Sequence, residues 1–284
     1  MGDHMRVESD VELLVGGISA AEGPAFDRDG NLFFVDWERS AIMRLTPDGT
    51  LTEFFNTGGI PAGLAFHPGG SLYVADEGDQ IHGILRITPD GKSSEIVVNA
   101  YEGTPLNGAN DLAFDRSGAL YFSDPWQSSA ENPVGGFYRL FPDGRLEQLD
   151  SGLAFPNGVA LDAGESGVYL AETYRNRILR YPISAGGSVG SRQVWAEVTA
   201  PPGADGMAFD IEGLLYVAHF EGHTVDIFGS NGKLVDQIPV PGKQPTNVAF
   251  GGPDNQTLVI TEVETNAVYQ VRLNVAGLGL NDGR

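Results

Sequence analysis

A short pattern of two strands and a turn recurs along this chain and restricts its possible folds more than any other feature. In residues 110–125 an apolar run, Leu112–Phe114, precedes a polar turn with glycine, and a second apolar run, Ala119–Phe122, ends at Asp124. Two such runs around a short Gly-containing loop are typical of a β-hairpin. One alanine marks the same position in six copies spaced 40 to 48 residues apart: Ala25, Ala65, Ala113, Ala160, Ala208 and Ala249.

Further apolar runs extend these hairpins to four-stranded units, and Pro-Asp-Gly turns at 47–49, 89–91 and 142–144 separate the third and fourth runs of the first three units. Units of this size at this period predict an all-β, six-bladed β-propeller with four antiparallel strands per blade. The sixth unit has only three runs. We expect Val11–Val15 to be its outer strand and to close the ring, which would remove exposed sheet edges; alternatively, these residues are an N-terminal tail.

Composition restricts the function as well as the fold. The 284 residues include 17 Lys or Arg and 38 Asp or Glu, a formal net charge of −21, and no cysteine. This acidity argues against nucleic acid and anionic membranes as partners, and the lack of cysteine excludes disulfides, thiol catalysis and zinc–thiolate sites. No apolar stretch approaches a membrane span and no signal peptide is visible, so we expect a cytoplasmic protein, monomeric or weakly homo-oligomeric.

We expect one domain, a propeller over residues 11–275. Residues 1–10 would be a disordered N-terminus or a cloning remnant, and residues 276–284 a C-terminal tail.

One position, three residues before each marker alanine, points to a binding site. It holds Glu22, Ala62, Asn110, Asn157, Asp205 and Thr246. The innermost strands of a propeller begin near the central channel, so these positions should converge on one face. Asn and Asp before Gly are also ordinary turn formers. Four oxygen-bearing side chains in register nevertheless indicate a shared site. Because no Lys or Arg balances the two carboxylates, hard oxygen donors of this kind predict one divalent cation, with Ca²⁺ favoured and Mg²⁺, Mn²⁺ or Zn²⁺ as alternatives.

A second set of polar residues ends the second strand of each unit: Asp36, Asp76, Asp124, Glu172, His219 and Glu262. Antiparallel pairing places these residues on the same face as the first set. They either line the pocket or satisfy backbone donors of nearby loops. We expect Trp37, Trp126, Tyr174 and His219, together with Asn110, to contact substrate, although aromatic residues there could also serve only packing.

Ordered motifs carry a family resemblance: Glu22-Gly23-Pro24, Asn110-Asp111, Pro156-Asn157-Gly158 and Asp205-Gly206-Met207. From about residue 15 to 273 the chain resembles the SMP-30/gluconolactonase family. The resemblance implies a six-bladed propeller with one divalent cation in its channel, ligated by Glu22, Asn157 and Asp205, with Asn110 beside the metal or substrate. Some animal members have an arginine that meets substrate where this chain has Gly108, so a bacterial-type lactonase is the closer likeness.

Together these features predict a metal-dependent hydrolase that opens a lactone ring with metal-activated water. Asp205 is the candidate general base and Asn110 would orient the substrate. The chain has no Gly-x-Ser-x-Gly elbow and no cysteine for acyl-enzyme chemistry. One alternative is a phosphotriesterase using the same metal; another is a non-catalytic propeller scaffold, since the fold alone does not determine function.

Overall fold

The computed structural model describes residues 6–201 and 203–279, and most of them lie in short β-strands. In chain order, these are β1 (Glu12–Gly16), then β2 (Ala21–Phe26), β3 (Leu32–Asp36), β4 (Ala41–Leu45) and β5 (Leu51–Asn56) of blade 1, and β6 (Pro61–Phe66), β7 (Leu72–Asp76), β8 (Gly83–Ile87) and β9 (Ser94–Val98) of blade 2. A small hairpin, β10 (Ala100–Tyr101) and β11 (Thr104–Pro105), precedes blade 3, which contains β12 (Leu112–Phe114), β13 (Leu120–Asp124), β14 (Gly135–Leu140) and β15 (Leu146–Leu153).

The second half of the chain continues the pattern. Blade 4 contains β16 (Pro156–Leu161), β17 (Gly167–Glu172), β18 (Arg177–Pro182) and β19 (Gln193–Glu197), and blade 5 contains β20 (Ala204–Phe209), β21 (Leu215–His219), β22 (Thr224–Phe228) and β23 (Leu234–Pro239). Blade 6 contains β24 (Pro245–Gly251), β25 (Thr257–Glu262), β26 (Ala267–Arg272) and β1. The predicted six-bladed propeller of four-stranded antiparallel sheets is therefore confirmed.

The N-terminal strand closes the ring as predicted. Strand β1 pairs antiparallel with β26, with Glu12 opposite Gln270 and Gly16 opposite Ala267. Residues 6–9 extend this contact, because Val7 bridges Leu273. The last blade is thus made from both ends of the chain, and β1, as its outer strand, pairs with the edge of β26 that would otherwise be exposed.

The apolar core lies between neighbouring blades. The rings of Phe54 and Phe66, from blades 1 and 2, both lie 5.0 Å from the ring of Phe33 in edge-to-face geometry. The first strand of each blade contacts the first strands of the blades beside it, so β2, β6, β12, β16, β20 and β24 surround the central channel. Successive side chains of these strands point to opposite faces of the blade, and they pack between neighbouring blades. The N-terminal ends of the strands border the channel.

Turn chemistry follows from the sequence, and the described C-terminal residues contact the propeller. In the turn between β4 and β5, the Gly49 amide donates to the Thr46 carbonyl, and Gly49 has a φ of +86° that glycine adopts without strain. Residues 276–278 bond to the ends of blades 5 and 6, for example through the Leu278 amide and the Phe209 carbonyl. Residues 1–5 and 280–284 of the expected tails lie outside the described residues. Across the described ranges, no helix has the length and apolar character to cross a bilayer.

Glycine is required where neighbouring inner strands approach closely. A Cβ on Gly158 of β16 would lie 2.2 Å from the Asp205 carbonyl oxygen of β20. We expect Gly158→Ala to lower the free energy of unfolding by roughly 2 kcal/mol, because backbone must move to accommodate the methyl group. The exposed Gly164, where an added Cβ meets only Asp162 at 3.6 Å, is the matched control. Urea unfolding of both variants measures the difference; equal stability would contradict this account of the packing.

Candidate functional site

The starts of the inner strands lie on one face of the propeller, level with the ends of the second strands. Ala21 pairs with Asp36, Pro156 with Glu172, and Ala204 with His219. Glu22, Asn157 and Asp205 are each the second residue of their strands, and Asn110 lies two residues before β12. The position three residues before each marker alanine therefore lies where an inner strand begins. It is on the face at which the second strands end.

Glu22 and Asp205 share one electrostatic environment, although they come from blades 1 and 5. Burial and then the neighbouring carboxyls, Glu22 first, raise the pKa of Asp205 well above its ordinary value. Burial and Asp111 raise the pKa of Glu22 to about 7, although the Gly23 amide donates to its Oε2 at 2.6 Å and opposes the shift. Asp205 is 8% exposed, whereas Glu22 is partly exposed. The two carboxyls resist simultaneous ionisation because the charge of one repels the charge of the other.

The two amides of the predicted set are placed differently. Asn110 donates from Nδ2 to Glu77 Oε1 at 2.8 Å, and this bond directs the Asn110 carbonyl oxygen away from Glu77. Asn157 is 5% exposed and precedes Gly158, whose Cα lies against the Asp205 backbone. Asn110 thus connects to the acidic group through a hydrogen bond, and Asn157 adjoins it through the contact of strands β16 and β20.

Three further polar residues join this group and were not identified from the sequence: Glu77, Asp111 and Asn247. Burial raises the pKa of Glu77 to about 8 and that of Asp111 to about 6. Asp111 accepts from the Val159 amide at 2.8 Å, and Asn247 Nδ2 lies 3.4 Å from Glu22 Oε2.

The sequence did contain a signal for each of these residues. Asp111 and Asn247 follow the marked position directly, where other blades have Gly23, Gly63, Gly158 and Gly206. Glu77 follows Asp76 at the end of a second strand, where the other blades have an uncharged residue: Trp37, Pro125, Thr173, Phe220 and Val263. A residue type that departs from the repeat was thus as informative about the site as one that agrees with it.

The donor set fits a hard divalent cation. None of the strongest electrostatic influences on Glu22, Glu77, Asp111 or Asp205 comes from lysine or arginine. Buried carboxylates are normally paired with a positive group, and the donors here are oxygens, as Ca²⁺ prefers. Within residues 6–201 and 203–279, no three His, Cys, Asp or Glu side chains are grouped closely enough to form a metal site by themselves. The predicted set instead pairs two carboxylates with asparagine.

The second polar ring mainly holds loops in place. Its members are almost completely buried. Four of them accept backbone N–H groups of the loop that enters their blade's inner strand: Asp76 from Ile60, Asp124 from Asn107 and Gly108, Glu172 from Ala154, and Glu262 from Gln244. These bonds fix the loops from which the inner strands begin, so the ring supports the site rather than lining it.

The residues expected to contact substrate occupy different surroundings. His219 is 2% exposed, and its Nδ1 lies 3.1 Å from Asp226 Oδ2 while its Nε2 lies 3.2 Å from the Pro201 carbonyl oxygen. Trp37 packs partly against the core between blades 1 and 2, and Tyr174 is 43% exposed. The Trp126 amide reaches the Gly108 carbonyl at 3.5 Å, and Trp126 is partly buried. Of the four, Tyr174 is exposed and Trp37 and Trp126 are partly buried. His219 is buried, and both of its ring nitrogens are engaged within the protein.

A cavity of about 150 Å³ follows the inner strands away from this face. Its walls are mainly apolar, and Asp111 and Asn247 are polar residues at the end nearer the site. Leu278 and Gly279 also line it and belong to the C-terminal segment. Of the acidic group, Asp111 lines the cavity, whereas Glu22, Glu77 and Asp205 do not.

Comparison with known proteins identifies the class. Residues 20–264 match the family described as SMP-30/Gluconolactonase/LRE-like region, and the chain therefore belongs to this family. Its relatives include a gluconolactonase of Zymomonas mobilis, 31% identical over 96% of this chain and 84% of that protein. Diisopropyl-fluorophosphatase of Loligo vulgaris is 32% identical over 89% of this chain and 88% of that protein. The solved structure of a gluconolactonase from Xanthomonas campestris matches with a TM-score of 0.81 and 25% identity, over 96% of this chain and 98% of that one.

Proposed function

We propose that this protein is a divalent-metal-dependent hydrolase that opens the ring of a small lactone. The observation that carries the proposal is the pair Glu22 and Asp205, set among buried polar groups where the inner strands begin. Neither lysine nor arginine is among the strongest electrostatic influences on these two carboxyls. Membership of a family with gluconolactonase relatives supplies the reaction class.

Glu22, Asn157 and Asp205 would hold the cation, which we propose to be Ca²⁺. Two carboxylates offset its charge, and the amide oxygen of Asn157 adds a neutral hard donor. When bound, such a cation supplies a Lewis acid that polarises a carbonyl oxygen and stabilises the charge that develops on it.

The protein's own groups would direct water and substrate. Asp205 would accept a proton from the attacking water, whose oxygen bonds to the lactone carbonyl carbon. The acyl carbon–oxygen bond of the ring then breaks, and the ring oxygen takes up a proton to give a hydroxy acid. Asn110, oriented by Glu77, would hold the substrate. Trp37, Trp126 and Tyr174 would form the pocket wall. His219, bonded to Asp226 and Pro201, would keep its loop in place.

Removal of divalent cations should abolish ring opening. We expect the rate of glucono-1,5-lactone hydrolysis, followed by pH-stat, to fall to the uncatalysed level after EDTA treatment and gel filtration, because the carbonyl oxygen would lack its charge partner. Added CaCl₂ should restore the rate, and NaCl at equal ionic strength is the control. Full activity of the metal-free protein would contradict the mechanism, and stabilisation by Ca²⁺ without activity on any lactone would favour a scaffold.

The similarity to diisopropyl-fluorophosphatase favours a second candidate, the hydrolysis of a phosphotriester at the same site. A polarised phosphoryl oxygen requires the same charge stabilisation as a lactone carbonyl. Values of kcat/KM for a sugar lactone, an aliphatic lactone and a neutral phosphotriester, measured on one preparation, decide between the candidates.

A further inference from the structure

One member of the second polar ring differs in chemistry from the other five. His219 ends β21, where the other blades have a carboxylate that can accept backbone N–H groups. In blades 3 and 4, accepted N–H groups belong to Asn107 and Ala154, each three residues before the marked position. In blade 5 that place in the sequence is held by Pro202, which has no N–H, and Pro201 precedes it. A carboxylate at residue 219 would lack this donor, whereas a histidine can donate to a carbonyl oxygen of the same loop.

Both ring nitrogens of His219 face acceptors. Nε2 lies 3.2 Å from the Pro201 carbonyl oxygen, which can only accept, and Nδ1 lies 3.1 Å from Asp226 Oδ2. The other carboxyl oxygen of Asp226 already accepts from the Thr224 hydroxyl at 2.7 Å and from Gln237 Nε2 at 2.8 Å. Burial opposes a charge on either group, yet these bonds lower the pKa of Asp226, and the Asp226 carboxylate and loop carbonyl oxygens raise the pKa of His219. The two residues therefore form a buried imidazolium–carboxylate pair.

Asp226 is itself a departure from the repeat. It is buried on β22, opposite Val217. The third strands of the other blades have an apolar or aromatic residue at this place: Met43, Leu85, Tyr138, Leu179 and Tyr269. A buried ion pair usually gives no more stability than such packing. Its presence in the blade whose inner strand carries Asp205 therefore points to a role in orientation rather than in overall stability.

The imidazole ring of His219 fits closely against the loops on either side of it. A Cβ on Gly222, in the loop after β21, would lie 2.3 Å from His219 Cγ, and a Cβ on Gly203, in the loop before β20, would lie 2.9 Å from His219 Cδ2. The Phe220 amide donates to the Gly203 carbonyl oxygen at 2.8 Å and joins the two loops. Movement of the ring is therefore coupled to movement of both loops.

These contacts lead directly to Asp205. Ala204 pairs with His219 in the sheet and immediately precedes Asp205. Its carbonyl oxygen accepts from the Thr173 hydroxyl of blade 4 at 2.7 Å. The backbone at Asp205 is thus held by His219 within its own blade and by Thr173 from the neighbouring blade.

We propose that His219 is a positioning residue: its imidazolium, held by Asp226, fixes the loop before β20 and thereby the Asp205 carboxyl in the proposed cation site. The inference rests on the hydrolase function proposed above. A neutral side chain at residue 219 would hold Asp226 and the Pro201 carbonyl group less firmly, since hydrogen bonds between charged groups are the stronger ones. Asp205 would then lose a fixed orientation, and cation binding would weaken although His219 is not itself a ligand.

The test measures binding of CaCl₂ by calorimetry to wild type, His219→Gln, Asp226→Asn and Glu262→Gln. Glu262 is the matched control because it holds the loop of blade 6 through the Gln244 amide, and the inner strand of that blade carries no proposed cation ligand. We expect the Kd for Ca²⁺ to rise about 10-fold in His219→Gln and Asp226→Asn and less than about 2-fold in Glu262→Gln, because groups that orient metal ligands typically contribute about 10- to 100-fold to affinity. An unchanged Kd in the first two variants, or an equal rise in Glu262→Gln, would overturn the proposal.

Two further readouts do not require the cation. Nitrogen-15 NMR should show protons on both ring nitrogens of His219 at neutral pH, and a neutral ring would contradict the proposal. In EDTA, amide hydrogen exchange over residues 203–209 should be at least about 10-fold faster in His219→Gln than in wild type and unchanged in Glu262→Gln; equal exchange in wild type and His219→Gln would overturn the proposal. If His219→Gln does not fold by circular dichroism, Asp226→Asn is measured in its place. Failure of the proposed function would appear separately, as a wild-type protein that neither binds Ca²⁺ nor hydrolyses a lactone, and the exchange data would still decide whether His219 positions Asp205.

Discussion

Replacement of Asp205 by asparagine is expected to lower kcat/KM for lactone hydrolysis about 10³-fold while the propeller stays folded. The substitution preserves the volume of the side chain but removes a charge from the proposed cation site and the proposed general base, and general bases typically contribute about 10²- to 10⁴-fold. Initial rates in saturating CaCl₂ measure the effect. Asp29→Asn, the same change at an exposed turn between β2 and β3, is the matched control and should retain the wild-type rate.

The stability of the Asp205 variant separates loss of function from loss of structure. Burial and three neighbouring carboxyls oppose ionisation of Asp205, so a neutral amide there should leave the metal-free protein at least as stable as wild type. Urea unfolding in EDTA measures this. Near-normal activity in saturating Ca²⁺ would remove Asp205 from the proposed mechanism, whereas a large loss of stability would mean that its role is structural.

Calcium should stabilise the protein most at alkaline pH. The pKa values of Glu22, Glu77 and Asp111 are raised to about 7, 8 and 6 in the folded protein. The folded protein then holds protons that the unfolded chain releases. These groups stabilise the fold fully below their ordinary pKa values, near 4, and this stabilisation is lost as pH rises through about 6 to 8. Without metal, the free energy of unfolding should therefore fall across this range. Cation binding should reverse the loss because it favours the ionised carboxylates.

Thermal unfolding at pH 5 and pH 8.5, in EDTA and in CaCl₂, checks the effect. At a calcium concentration 100 times Kd, binding contributes about 2.7 kcal/mol, which corresponds to a Tm increase of about 5 °C for a chain of this size. The increase should be smaller at pH 5, where protons compete for the carboxyls. Glu22→Gln is the control variant, and its response to Ca²⁺ should be much weaker. A Tm that is independent of calcium at pH 8.5 would exclude Ca²⁺ at this place.

Most of the fold could be predicted because the repeat encodes it locally. Apolar runs such as Leu112–Phe114 and Ala119–Phe122 and the glycine of each turn require no information from distant residues. The count of three strands in the sixth unit indicated that Val11–Val15 completes a blade, and β1 over Glu12–Gly16 confirms it. The expected domain boundaries and the roles of Glu22, Asn110, Asn157 and Asp205 stay predictions.

The site was harder to predict because its members interact across blades. His219 shares its position in the repeat with Asp124, yet the side chain lies between Asp226 and the Pro201 carbonyl group. That orientation depends on strand β22 and on the loop before β20, and no pattern around residue 219 reports it. Glu77 reaches Asn110 over 33 residues of chain, from a loop whose path is set by the bonds of Asp76 to Ile60 and Gly78.

By itself, the sequence determined the number of blades, the closing strand and the positions that face the channel, because strand alternation and turn geometry are local properties that repeat with the chain. Only the tertiary structure decided which of the polar groups there are buried together and which have partners. Burial and electrostatic coupling depend on distances between residues from different blades, and the closed ring sets those distances.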